Sequence, residues 1–233
     1  MGQESLIANE TTYLAFSVGH KVLIEENYVK LFEKCYKACG ITGKINAHKL
    51  ARRYIVYQII KKINSYPSRR GIATAEFGVL DGLTSMIITS TLNGEDDSHY
   101  IFDSFEGLSE PESTDFEGGR GEIYKGMMSP SHKKISALFP SASIQKCWIP
   151  QTIKPVDKMF DFVHIDLDLY DPVKGALEYL IDKCNSGCIV IVDDYSDRWP
   201  GCVRAVQEHL SRFPNLYDYH YDTCMGNYFI RRR

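Results

Sequence analysis

The sequence predicts an α/β fold: a mostly parallel β-sheet covered by helices on both faces, with an antiparallel strand added by a closing hairpin. Three observations predict it. Short apolar runs at 72–79, 99–102, 143–149, 160–165 and 189–192 are separated by stretches of helical period. Strands that alternate with helices favour parallel pairing through crossover helices. Residues 217–222 and 227–231 alternate like the two arms of a hairpin.

Residues 1 to about 70 read as a helical extension, and 71–233 as the catalytic domain. Ile24, Tyr28, Leu31, Cys35 and Cys39 recur at three-to-four spacing until Gly40 stops the pattern. Asn46 is placed to cap a second helix, whose stripe is Leu50, Tyr54, Tyr57, Ile60 and Ile63 or Asn64. Lys49, Arg52, Arg53, Lys61 and Lys62 fall beside that stripe. They read as a solvated helix face in preference to a phosphate or membrane patch. Pro67 ends the element. Ile72 to Gly82 is a strand running into a glycine turn, Leu83 to Thr91 a helix, and His99 to Phe102 a strand ending in Asp103.

Ser109 to His132 is polar and rich in glycine, with Glu110, Glu112, Asp115, Glu117, Gly118, Gly119, Gly121 and Gly126. So long a stretch inside a compact domain reads as a mobile lid. Lys133 to Phe139 follows as a short helix and Ser143 to Ile149 as a third strand. After the 160–165 strand comes a helix from about Pro172 to Cys184. Trp199 opens the last helix, through about Phe213.

The charge balance excludes some classes. With 27 Lys and Arg against 30 Asp and Glu, the net charge is -3, so there is no global basic field for nucleic acid. No apolar run approaches the length of a membrane span, and Met1 to Leu6 lacks the basic-then-apolar pattern of a secretory leader. The seven cysteines are irregularly spaced. Cys35 and Cys39 sit one helical turn apart with no second pair at zinc-site spacing. Reduced thiols imply a reducing, cytoplasmic compartment.

The chemistry gathers at strand ends. The 160–165 strand delivers Asp166 and Asp168, and the 189–192 strand ends in Asp193 and Asp194. Carboxylates buried without balance cost several kcal/mol. If these strands pair, about 4.8 Å apart, Asp166, Asp193 and Asp194 form one acidic cluster. A hard divalent cation, Mg²⁺ first, is its simplest balance. Consecutive residues on a continuing strand point to opposite faces, so Asp193 and Asp194 reach one ion only if the chain turns after them.

A second constellation precedes it. Glu76, Gly78 and Gly82 sit at a strand end, where open parallel sheets bind ligands. Gly78 permits close backbone approach, Gly82 lets the chain turn into the helix, and Thr84 or Ser85 lies at its start. Asp103 follows one strand–helix–strand unit later, where a carboxylate grips a ribose diol. A carboxylate at position 76 repels the pyrophosphate of a dinucleotide, and so favours the cationic S-adenosylmethionine.

Asp161 to Tyr170, Ile191 to Tyr195 and Trp199 to Cys202, together with Glu76 to Val79 and Asp103 to Gly107, resemble the macrocin O-methyltransferase family over roughly residues 72–210. The resemblance implies a Rossmann-like class I methyltransferase fold with a mostly parallel seven-stranded sheet. It implies Mg²⁺- and S-adenosylmethionine-dependent methylation of a hydroxyl, on a sugar or a sugar-bearing natural product. By resemblance Asp166, Asp193 and Asp194 hold Mg²⁺. Glu76, Gly78, Val79, Gly82, Thr84, Asp103, Ser104 and Phe105 line the cofactor site, with Trp148 and Ile149 near the adenine. Asp166 is the first choice for the base that takes the hydroxyl proton, with Asp168 or His164 next. His164 also reads as a satisfied core histidine. The expected partner is a small-molecule hydroxyl acceptor, not nucleic acid or membrane; a homodimer or higher homo-oligomer is left open.

Rival readings explain less. A phosphohydrolase of the haloacid dehalogenase type also uses strands ending in Asp-x-Asp and Asp-Asp, but leaves Glu76 and Asp103 without a role. A nicotinamide-dependent oxidoreductase fails at the Glu76 turn. The intact set Asp166, Asp193 and Asp194 argues against a catalytically idle nucleotide-binding module.

Overall fold

The computed structural model describes residues 11–15, 21–66, 71–116, 123–222 and 227–233. The chain starts with a hairpin, β1 (Thr11–Ala15) against β2 (Lys21–Glu25), where the periodicity had suggested helix. Val22, Leu23 and Ile24 form a consecutive aliphatic run, which suits a strand. Ile24 still clusters with Tyr28, Cys35 and Cys39 of the expected stripe, but from the strand side. Helices α1 (Glu26–Ala38) and α2 (Ala47–Asn64) follow. Asn46 caps α2 as anticipated, its side chain accepting from the N–H groups of His48 at 2.7 Å and Lys49 at 3.4 Å. The expected domain boundary at 67–70 and residues 1–10 lie outside the described residues.

The rest alternates: β3 (Ala73–Phe77), α3 (Leu83–Thr91), β4 (Ser98–Asp103), α4 (His132–Leu138), β5 (Ser143–Lys146), β6 (Phe160–Ile165), α5 (Tyr170–Leu180), β7 (Cys184–Val192), α6 (Pro200–Arg212), β8 (Tyr217–Asp222) and β9 (Asn227–Arg232). These strands build one seven-stranded sheet of order β5-β4-β3-β6-β7-β9-β8. The first five are parallel. Strand β9 runs antiparallel to both neighbours, so β8 points the same way as β7. The closing hairpin thus adds its antiparallel strand one place in from the edge.

The sheet is covered on both faces. Val173, Ala176 and Leu177 of α5 and Ala205 and Val206 of α6 pack with Phe77, Val163, Ile165 and Val192. On the other face Val56, Ile60 and Ile63 of α2 and Ile88 of α3 pack with Phe162 and Ile191. The period of two along a strand sets the division. Phe162 and His164 look toward α2 and α3, while Val163 and Ile165 look toward α5 and α6.

The expected lid is fastened where it is described. A short 3₁₀ turn, Ser113–Asp115, buries Asp115, whose carboxylate accepts from the N–H groups of Glu112 and Tyr170. The N–H groups of Leu108 and Gly126 donate to Met127 and Leu108 carbonyls. Composition could not reveal that one buried carboxylate ties the stretch to α5. Glu117, Gly118, Gly119 and Gly121 lie outside the described residues.

Candidate active site

The strand register makes a row of chemistry along one edge. Phe77 is level with Phe102 and with Ile165, and Ile165 with Val192. The next residue on each strand is Asp103, Gly78, Asp166 or Asp193. Ladder bonds continue into this row: Gly78 N–H to Phe102 O at 2.9 Å, Asp166 N–H to Phe77 O at 2.8 Å and Asp193 N–H to Ile165 O at 2.8 Å. At strand spacing the four positions span about 14 Å. The strand order reverses between β3 and β6, so Gly78 and Asp166 stand at the topological switch point. Gly78 has φ +85°, and a Cβ there would lie 1.9 Å from the Asp166 carbonyl oxygen. Backbone approaches backbone here because residue 78 has no side chain.

A cavity of about 550 Å³ opens over this row. That volume suits a small-molecule site. Gly78, Asp103, Ser104, Trp148, Ile149, Asp166, Asp168 and Asp194 line it, as the sequence suggested. Asp103 is 8 % exposed and gives both oxygens to backbone: Oδ2 accepts from Val79 N–H at 2.8 Å and Oδ1 from Phe105 N–H at 2.6 Å. Burial raises its pKa, against the lowering by those two bonds. Each oxygen keeps a lone pair for a ligand hydroxyl.

Seven expected residues do not line the cavity: Glu76, Val79, Gly82, Thr84, Phe105, His164 and Asp193. Glu76 departs furthest from the expectation. It is level with His164 on the face that α3 covers, so its carboxylate lies between sheet and helix. The Ser85 hydroxyl donates to Glu76 Oε2, and His164 Nδ1 lies 3.5 Å from Oε1. Burial raises the Glu76 pKa, and the His164 and Ser85 contacts oppose that rise. His99 Nε2 meets Ser85 Oγ at 2.8 Å, and its Nδ1 meets Thr74 Oγ1 at 2.8 Å. Glu76 therefore serves a buried polar chain. Val79 and Phe105 contribute backbone N–H groups to Asp103, while Gly82 is the N-cap of α3 and Thr84 is buried behind it.

The acidic residues form two groups that share Asp166. Ligand atoms of Asp166, Asp168 and Asp194 lie within 4.8 Å of one another, and so do those of His164, Asp166 and Asp193. The chain does turn after Asp193, since Asp194 has φ +58°. The turn sends Asp194 to the cavity and leaves Asp193 inside, with its Oδ2 3.8 Å from His164 Nε2. The first group offers hard oxygen donors to the cavity, a set that fits Mg²⁺. Backbone strain concentrates here. The five non-glycine residues with positive φ among the described residues are Leu80, Phe105, Met128, Asp168 and Asp194. All but Phe105 line the cavity. Such conformations persist where the surroundings enforce them, and they cluster at ligand sites.

Sequence reasoning missed one wall. His48, Lys49, Arg52 and Arg53 of α2 line the cavity with Arg198, Trp199 and Tyr221. The Arg52 guanidinium pairs with Asp193 Oδ1 and lies 3.6 Å from Asp194 Oδ1. Spacing put Lys49, Arg52 and Arg53 beside the apolar stripe of α2, which was legible; the place of His48 was not read. That α2 crosses the ends of β6 and β7 was not legible.

The strand-end motifs also carry a family signature. A profile of the macrocin O-methyltransferase (TylF) family matches residues 70–213. The chain belongs to this family. Macrocin O-methyltransferases are S-adenosylmethionine-dependent O-methyltransferases, and the chain has their class I fold. The O-methyltransferase NovP is similar over 84 % of this chain and 87 % of its own, with 19 % identity and a TM-score of 0.67. The apo structure of CalS11, a TDP-rhamnose 3′-O-methyltransferase of calicheamicin biosynthesis, shares 15 % identity over 90 % of this chain and 96 % of its own, with a TM-score of 0.56. An O-methyltransferase from Bacillus cereus in complex with SAH shares 10 % over 90 % and 92 %, with a TM-score of 0.53. At these identities the likeness concerns the fold alone. A search of curated proteins returns no match. Among the described residues no helix is long and apolar enough to cross a membrane. Cys35, Cys39, Cys147, Cys184, Cys188 and Cys202 are free and buried; Cys224 lies outside the described residues.

Proposed function

We propose that this macrocin O-methyltransferase family member moves a methyl group from S-adenosylmethionine to a hydroxyl of a sugar or sugar-bearing natural product, with Mg²⁺, in the cytoplasm. One observation carries the reading: Asp103 and the group Asp166, Asp168 and Asp194 face a single cavity at the switch point. The cofactor supplies an electrophilic methyl on a sulfonium. Asp103 accepts from the ribose hydroxyls through lone pairs its backbone donors leave open. Trp148 and Ile149 give the adenine an apolar wall.

Asp166, Asp168 and Asp194 would hold Mg²⁺, whose charge favours loss of the acceptor's hydroxyl proton. Of the three candidate bases, Asp166 and Asp168 reach the cavity and His164 does not. A carboxylate oxygen of Asp166 takes the proton, and His164 holds Asp193 from behind. The N-terminal extension, through α2, walls the acceptor side. NovP and CalS11, both O-methyltransferases and the second acting on TDP-rhamnose, support this reading.

Isothermal titration with S-adenosylmethionine, NADH and a phosphate ester tests the class. Binding of S-adenosylmethionine is expected, with no hydrolysis of the phosphate ester. A preference for NADH, or phosphate-ester hydrolysis without S-adenosylmethionine binding, overturns the proposal.

A further inference from the structure

Acidic and basic walls face each other in the cavity. Asp103 stands at the β4 end and Asp166, Asp168 and Asp194 at the β6 and β7 ends, where the basic wall of α2 lies over them. Arg52 is already matched by Asp193 and Asp194. Lys49 and Arg53 are not, for among the described residues neither makes an ion pair with a carboxylate. Arg53 Nη1 reaches only the Lys49 carbonyl, at 3.5 Å, and its buried Nε has no hydrogen-bond partner. A partly buried guanidinium left unbalanced is unfavourable, the more so beside a second cation. The cofactor adds a net positive charge, because its sulfonium and amino group together outweigh its one carboxylate. An anion on the acceptor would pair with Lys49 and Arg53.

We propose that the acceptor carries a phosphate group, held by Lys49 and Arg53 on the α2 wall while its hydroxyl faces Asp166. This rests on the methyl-transfer reading of the same cavity. Phosphate is favoured because the planar guanidinium fork gives two parallel N–H···O bonds to it, with the lysine as a second point charge. Tyr221, packed 5.0 Å from Tyr195 between ring centroids, presents an aromatic face at the same end for a sugar or base ring. The phosphate belongs either to a simple sugar phosphate or to a nucleotide-linked sugar.

The test is calorimetry on the full chain saturated with S-adenosylhomocysteine, in metal-free buffer. The probes are UDP-glucose, glucose 1-phosphate and glucose. A phosphate-bearing probe is expected to bind, and glucose not. Lys49→Ala and Arg53→Ala should each weaken the probe about tenfold or more, the scale of a lost charged hydrogen bond. Arg53→Lys should recover part of that loss, and S-adenosylhomocysteine affinity should stay constant throughout. Lys49 is exposed, so its variant guards against a folding artefact. Tighter UDP-glucose assigns a nucleotide-linked sugar, and equal or tighter glucose 1-phosphate a sugar phosphate. Failure of both phosphate probes while S-adenosylhomocysteine binds overturns the inference. So does an equal loss of S-adenosylhomocysteine affinity in Arg53→Ala, which would give the wall to the cofactor's own carboxylate. Phosphate binding with no S-adenosylhomocysteine binding would sink the methyl-transfer reading and leave the phosphate site standing.

Discussion

Replacing Gly78 by alanine tests whether the switch point is as tight as it looks. Two costs add. The backbone sits at φ +85°, where a side chain costs about 1–2 kcal/mol. The new Cβ would also lie 1.9 Å from the Asp166 carbonyl oxygen and 3.3 Å from Leu167 Cδ2. Carbon–oxygen contacts settle near 3.3 Å, so β3 and the loop after β6 must part by about 1.4 Å. Strain of that kind costs about 1–3 kcal/mol. The total, about 2–5 kcal/mol, lowers Tm by roughly 4–20 °C in a domain of this size. Gly40→Ala is the control: its φ is +63°, but nothing lies within 4 Å of the added carbon, so only the backbone cost applies. Differential scanning calorimetry of the three proteins gives the Tm values, and titration with S-adenosylhomocysteine reads the site. Gly78→Ala should melt well below Gly40→Ala and bind at least about tenfold more weakly, because the displaced segment carries Asp166. Equal melting temperatures and wild-type affinity would show that the loop yields freely, and the close-approach argument would fall.

Asp103→Ala should weaken S-adenosylhomocysteine binding by about 1.5–3 kcal/mol, read by calorimetry on folded protein; unchanged affinity removes Asp103 from the site. Asp166→Asn should abolish methyl transfer while S-adenosylhomocysteine still binds, and chelator should silence the native protein reversibly; full turnover in excess chelator refutes the metal. His99 supplies a pH test. Burial lowers its pKa from about 6.5 to about 3. The neutral ring's contribution is complete above about pH 6.5 and is lost as pH falls toward 3, by up to about 1.4 kcal/mol per pH unit. The raised pKa of Glu76 acts in the opposite direction, so the comparison is between variant and native protein. His99→Gln should flatten the acid limb of urea-derived stability against pH, and an unaltered slope would count against the buried neutral histidine.

The centre of the sheet was legible because β3, β4, β6 and β7 are largely apolar runs closed by glycine or a carboxylate, and such closures belong to the carboxyl ends of parallel strands. Asp103, Asp166, Asp168 and Asp194 therefore fell into the cavity as read. Glu76 did not, because alternation says that residue 76 shares a face with His164 but not that α3 lies over that face. The basic residues of α2 look like any solvated helix surface until the helix is docked. The N-terminal hairpin was hidden by Ile24 and Tyr28, whose spacing fits a helical stripe although the chain changes conformation between them. Asp115 was one acid among several in a polar stretch, and its bonds to the N–H groups of Glu112 and Tyr170 distinguish it.

Strand β8 joins the sheet through β9, and β9 joins it along Ile189 to Val192 of β7. Tyr221, at the cavity, is thus moored to β7 through one intervening strand, β9. Mooring of this kind works in both directions. Any molecule that gains affinity by touching Tyr221 must, to the same extent, resist the peeling of β9 from β7. Its presence would be recorded as slower hydrogen exchange at the amides of Tyr228 to Arg231, residues that do not line the cavity.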